Sequence, residues 1–248
     1  MHTPPSDKLT IFACPKTHDQ VVALFERFPK GRVLDMGAGE GALSRRLQEA
    51  GFEVRALDLM PERFRAAGIA CDRGDLNRTM PYRADSFDYL CGVELIEHLE
   101  DPFDFIRECR RILRPGGKLV LTTPNMLNLA SRIKYLLTGF YPLTTRPLNE
   151  CTKSPVWDHI HPLTYYQLRY ILHTNGFHIE RVDTDRYRSS AAYWLWLYPL
   201  LRLFTRTTMR KERDPGQRAR NREIRRTMHS FALLLGRTVI VTAEKERG

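Results

Sequence analysis

The chain has 248 residues, 42% of them hydrophobic and 27% charged, with a formal net charge of +10. That composition excludes a disordered, fibrous or low-complexity chain, and the length fits one large domain with an elaborated lid better than two independent domains. Five cysteines, Cys14, Cys71, Cys91, Cys109 and Cys151, form no C-x-x-C pair, which excludes a zinc ribbon and predicts reduced thiols in a cytoplasmic protein.

In chain order, Met1 to Thr10 carries Pro4, Pro5 and Asp7 and lacks the apolar core of a secretory signal. His18 to Phe28 predicts an amphipathic helix with Val21, Val22, Leu24, Phe25 and Phe28 on its apolar side. Arg32 to Met36 is a short buried strand that runs into Gly37-Ala38-Gly39-Glu40-Gly41, and a helix follows from Ala42 to Ala50. Glu53 to Leu59 reads as a second strand, Ile69 to Asp72 as a weak third and Phe87 to Val93 as a central fourth. Asp101-Pro102 supplies a cap and a first-turn proline for a helix to Leu113, which Arg114-Pro115-Gly116-Gly117 breaks. Lys118 to Asn125 is a fifth strand, Tyr165 to Thr174 a helix, Phe177 to Asp183 a sixth strand, and Thr238 to Ala243 a final one. Strands alternating with helices predict an α/β, Rossmann-like doubly wound sheet. The chain reads as a single domain over 1–248 with an insertion at 189–235.

A glycine-rich turn between a buried strand and a helix brings backbone N–H groups close to a ligand. Gly37, Gly39 and Ala42 also satisfy the loose dinucleotide fingerprint G-x-G-x-x-A, so a nicotinamide oxidoreductase is one reading. Acids at three successive strand ends oppose it. Asp35, two residues before the first glycine, suits a cationic group better than a pyrophosphate; Asp58 is placed for ribose hydroxyls and Asp75 for an adenine amino group. The implied ligand is a nucleoside with a positively charged amino-acid tail. Leu59, Leu76, Val93 and Glu94 complete the expected cofactor cleft.

On Val33 to Gly41, Asp58, Gly74-Asp75-Leu76, Phe87-Asp88 and Leu113 to Val120, the sequence resembles class I S-adenosylmethionine-dependent methyltransferases, of the ubiquinone-biosynthesis O-methyltransferase-like, type 11 group. The resemblance covers about residues 20–185. It implies S-adenosylmethionine as cofactor and a seven-stranded sheet of order 3-2-1-4-5-7-6 whose last strand, Thr238 to Ala243, is antiparallel.

After the fourth strand stands Glu94-Leu95-Ile96-Glu97-His98. If helical, positions i, i+3 and i+4 share one face, so Glu94, Glu97 and His98 converge as ligands for Mg²⁺, Mn²⁺ or Zn²⁺. The segment resembles the E-x-x-E-H element of ubiquinone-biosynthesis O-methyltransferases and of small-RNA 2′-O-methyltransferases. There a metal binds vicinal acceptor oxygens and a downstream His completes the shell; the resemblance places His159 of Trp157-Asp158-His159 in that role. A metal-free site, with His98 or His159 as general base beside Glu97, and a purely structural role, with Glu97 and His98 as a polar pair, are the alternatives.

The insertion holds most of the charge excess: residues 181–230 carry 13 Lys or Arg against 5 Asp or Glu. Tyr193, Trp194, Trp196, Tyr198 and Phe204 precede or join a basic run to Arg226, and Ile224, Met228, Phe231 and Leu235 predict a helix with one apolar edge. The segment fits a lid, an anionic membrane surface at the inner face of the membrane, or, less well, nucleic acid. Ser189 to Leu201 is short of the roughly 20 residues of a spanning helix. The expected reaction is O-methylation of a small-molecule, lipid-linked or glycan-linked hydroxyl. An RNA 2′-O-methyltransferase and a catalytically silent S-adenosylmethionine-binding protein are the alternatives.

Overall fold

A computed structural model describes residues 9–141, 148, 151 and 159–247 of the chain. Strands β1 (Arg32–Met36), β2 (Glu53–Asp58), β3 (Cys71–Arg73), β4 (Phe87–Val93), β5 (Leu113–Pro124), β6 (Phe177–Asp183) and β7 (Thr238–Lys245) form one sheet in the order β3-β2-β1-β4-β5-β7-β6. The first five pair in parallel, and β7 runs antiparallel to both β5 and β6. This is the expected topology, closing strand included.

Parallel strands covered on both faces have no solvated side and so read as near-continuous apolar runs. Alternation then deals their side chains to two cores. On one face, Val33, Tyr89, Cys91 and Val120 meet Val21, Phe25, Leu43 and Leu47 from α1 (Pro15–Phe25) and α2 (Ala42–Glu49). On the other, Leu34, Leu90, Leu119 and Leu121 meet Phe105, Ile106, Leu168 and Leu172 from α3 (Pro102–Ile112) and α5 (Tyr165–Thr174). Asp101 caps α3 as expected, accepting the N–H groups of Phe103 and Asp104 at 2.9 Å each.

Three local expectations change. The first helix begins at Pro15 rather than His18, because a proline suits the first turn. The Arg114-Pro115-Gly116-Gly117 run ends α3 but belongs to β5: Leu113 already pairs with Phe87, and the register shifts before Lys118 meets Tyr89. A helix without a sequence expectation, α4 (Leu129–Thr138), follows β5, capped by Asn128, whose Oδ1 accepts the Ser131 N–H at 2.9 Å.

Between β6 and β7 the chain forms α6 (Ser189–Ala192), α7 (Tyr198–Met209), α8 (Pro215–Met228) and α9 (Phe231–Leu235). The apolar edge read from Ile224 to Leu235 is divided between α8 and α9, and Ser230 caps the second. Consequently Ile224, Leu233 and Leu234 are buried while Phe231 is exposed, contrary to the single-edge reading. Arg169, almost wholly buried in α5, holds α8 through a two-point ion pair with Glu223 at 3.0 and 3.1 Å.

Candidate active site

In an open α/β sheet, ligands bind beyond the carboxyl ends of the strands where the winding reverses, here between β1 and β4. The glycine turn lies at that edge. Gly37, Gly39 and Gly41 have φ of 71°, 56° and 89°, a left-handed run that only glycine adopts without strain. At Gly41 a Cβ would also stand 2.6 Å from the Phe64 ring and 2.7 Å from Ala66.

Asp58 ends β2 and fixes this turn: its Oδ2 accepts the Gly39 N–H and its Oδ1 the Met60 N–H, both at 2.8 Å. Its remaining lone pairs are its only capacity for ribose hydroxyls. Asp75, just beyond β3, accepts the Asn77 N–H at 2.9 Å and faces Arg78. Leu59 is exposed beside Asp58, and Leu76 is buried. Val93 closes β4, half-buried. Asp35 departs from the expectation of direct contact with a ligand. It is buried beneath the turn, where the Ser44 hydroxyl donates to its Oδ2 at 2.6 Å. Burial pushes the Asp35 carboxyl up to about 7, against the pull of Ser44 and with the charge of Asp58 adding to the rise.

Sequence reasoning missed what lies over the turn. The Thr10 N–H donates to Glu40 at 2.9 Å, Leu9 packs with Ala38 and Phe64, and the Phe12 ring stands over Gly39. These residues precede the first helix and carry no periodic signal that could have drawn attention to them.

The second cluster follows β4, and here the helical reading fails. Only Ile96–His98 form a 3₁₀ turn, and Glu94 sits in left-handed backbone with φ 47°. Thr122 of β5 holds it there, its hydroxyl and its carbonyl both accepting the Glu94 N–H, at 2.9 and 3.2 Å. Burial and then the charge of Asp185 raise the pKa of the Glu94 carboxyl, against the pull of Arg186, Arg237 and Thr238. Glu97, His98 and His159 do converge, each offering a ligand atom within 4.8 Å of the others, and Glu94 lies outside that set. The two imidazoles meet edge to face at 4.7 Å. Glu97 is fully buried and neither of its oxygens makes a formed hydrogen bond. Burial, with the charge of Glu94 adding, pushes its carboxyl up to about 8, against the pull of its own backbone N–H and of the Thr123 hydroxyl. Trp157 and Asp158, which the sequence reading joined to His159, lie outside the described residues.

The sheet order and the glycine turn at its switch point define a doubly wound, Rossmann-like α/β protein. The family model described as "Methyltransferase domain" matches residues 13–182. The chain therefore belongs to the S-adenosylmethionine-dependent methyltransferase family. It is 39% identical over 103 residues to a ubiquinone biosynthesis O-methyltransferase of Xanthomonas axonopodis pv. citri, covering 38% of this chain and 43% of that protein. The chain thus spans less than half the length of the curated relatives it matches. An S-adenosylmethionine-dependent methyltransferase from Mesorhizobium loti superposes with a TM-score of 0.54 at 21% identity, over 91% of this chain and 96% of that one. A [4+2]-cyclase shares the fold at a TM-score of 0.54 and 19% identity, over 94% and 81% of the two chains. Fold alone does not choose the reaction.

Proposed function

We propose that this chain transfers the sulfonium methyl group of S-adenosylmethionine to an acceptor hydroxyl, on a small molecule or a lipid- or glycan-linked one, assisted by a divalent cation held by Glu97, His98 and His159. The observation that carries it is the convergence of the buried Glu97 carboxyl with two imidazoles, each offering a ligand atom within 4.8 Å of the others. Burial keeps that carboxyl protonated up to about pH 8, and a bound cation would favour its ionised form. With Glu94 outside the converging set, one carboxylate and two imidazoles suit Zn²⁺ or Mn²⁺ better than Mg²⁺.

The glycine turn admits the cofactor backbone, Asp58 and Asp75 receive its ribose and adenine, and the field of Asp35 favours its cationic tail. A sulfonium is already an activated methyl donor, so the chain's remaining tasks are alignment of the nucleophile and removal of its proton. A bound cation would supply Lewis acidity, lowering the pKa of a coordinated acceptor oxygen.

The test is a titration of the full chain, saturated with S-adenosylhomocysteine, with Mg²⁺, Mn²⁺ and Zn²⁺, followed by acceptor assays on vicinal diols and catechols. Stoichiometric binding that is lost in Glu97→Gln, with methyl transfer falling about 10- to 100-fold or more, is the expected outcome. A folded, cofactor-binding protein that takes up none of the three ions and methylates regardless overturns the metal-assisted reading. It would leave His98 or His159 as the base.

A further inference from the structure

The insertion packs its inner side on the domain and leaves its outer side uncovered, and the sequence of α7 explains both. With 3.6 residues per turn, Tyr198, Leu201, Thr205 and Met209 share one face of α7, whereas Leu200, Leu203, Phe204 and Thr207 share the opposite one. The first set is half-buried, with Tyr198 and Leu201 packing around Leu129, Ala191 and Leu234. The second faces outward: Leu200 is 49% exposed, Leu203 55% and Phe204 65%, and Trp196, just before the helix, is 67%. Contiguous apolar exposure of this kind marks a surface that another body covers.

The charge around that face names the body. Ten Arg or Lys lie between Arg202 and Arg226. Among the described residues only Arg220 has a carboxylate within ion-pair distance, Asp214 at 3.8 Å. Arg202, Arg206 and Arg210 flank the apolar face of α7 along one side. Elsewhere on the same molecule arginines are routinely paired, as Arg32 is with Glu53, Arg55 with Asp72 and Arg111 with Glu108. Uncompensated positive charge beside outward aromatic and aliphatic side chains complements an anionic bilayer, where acyl chains receive Leu and Phe and headgroup phosphates receive Arg. Single-stranded nucleic acid would stack on Trp196 or Phe204 but has no use for Leu200 and Leu203.

We propose that α7 and the basic helix α8 dock this protein on an anionic lipid surface, with Trp196, Leu200, Leu203 and Phe204 entering the interface. Among the described residues no helix is long and apolar enough to cross a membrane, so the attachment is peripheral. The surface is independent of the chemistry at Glu97; it deepens the proposed function only in bringing lipid-linked hydroxyls within reach.

Flotation of the full chain with vesicles of phosphatidylglycerol and phosphatidylcholine, and with phosphatidylcholine alone, tests this without any methyl transfer. S-adenosylhomocysteine binding in the same samples reports a folded cofactor site. The wild type is expected to float with the anionic vesicles only, and less as salt rises. Leu203→Ser/Phe204→Ser should reduce the bound fraction at least tenfold, and each of Arg206→Gln and Arg210→Gln should reduce partitioning about fivefold. These side chains are exposed, so the variants keep their cofactor affinity. No flotation by cofactor-binding wild type, equal flotation with neutral vesicles, or binding unchanged by the Leu203/Phe204 variant would overturn the proposal. So would a salt-sensitive RNA mobility shift in a protein that ignores vesicles.

Discussion

At the scale of single residues, the site is built from acids held away from water. Asp35 holds its proton to about pH 7 because it is buried, whereas the same group in the unfolded chain ionises near its ordinary value of 3.8. Between those values the folded state binds the extra proton. Asp35 therefore contributes stability that is present below about pH 4 and lost as pH rises to about 7, at up to about 1.4 kcal/mol per pH unit. Asp35→Asn, which can keep the Ser44 contact, should flatten that part of the stability profile and raise the melting temperature of the free protein near pH 8. A cationic ligand acts on the same equilibrium from the other side, since it favours the ionised carboxylate. Calorimetric titration with S-adenosylmethionine near pH 6.5, in buffers of different ionisation enthalpy, should show proton release of up to one per site. The Asp35→Asn variant should show less, and an unchanged proton count would remove Asp35 from the account.

At the scale of elements, the turn between β1 and α2 is the part least able to change. Gly41 combines a φ of 89° with a Cβ position only 2.6 Å from the Phe64 ring, so Gly41→Ala should destabilise the fold by about 1–3 kcal/mol. It should also weaken S-adenosylhomocysteine binding, by more than the same substitution at Gly139, where a Cβ would meet nothing within 4 Å. Comparable losses at both positions would mean that backbone strain alone, not the cradle, sets the effect. The turn was legible in the sequence because a buried strand, three glycines and a helix of the right period are all local signals. The turn after β4 was not. Its five residues carry helical spacing, yet the Glu94 N–H is held by Thr122 from the neighbouring strand, a tertiary contact with no trace in local sequence. Glu97 and His98 still meet His159 because consecutive backbone turns, not a helix face, carry them there. α4 escaped notice for a similar reason: its exposed Tyr135, Leu136 and Leu137 break the amphipathic pattern that marks a helix packed on a core.

At the scale of the whole molecule, the sheet and the insertion stand on different foundations. β1, β4 and β5 are buried on both faces between two cores, whereas α7 has no fully buried residue and α8 only Ile224. The buried Leu233 and Leu234 of α9 anchor the insertion to the cores, and a few specific contacts hold the rest. Asn125 at the end of β5 donates to the carbonyls of Leu233 at 3.0 Å and Gly236 at 2.8 Å, and Arg169 pairs with Glu223. Opening α7 and α8 exposes little apolar surface, so native-state hydrogen exchange should show these helices opening at free energies well below those of the central strands. Removing the carboxylate of Glu223 leaves Arg169 buried and unpaired, which costs more than losing an exposed pair. Glu223→Gln should therefore speed exchange in α8 while leaving β1 and β4 unchanged. Equal acceleration throughout would show one cooperative unit rather than two. A weakly held outer layer also suits a docking element, because a surface that covers its apolar face adds the stabilisation that the fold itself omits. Exchange in α7 should accordingly slow on anionic vesicles and stay constant on neutral ones. Protection that appears in the sheet but not in α7 would place the contact elsewhere on the molecule.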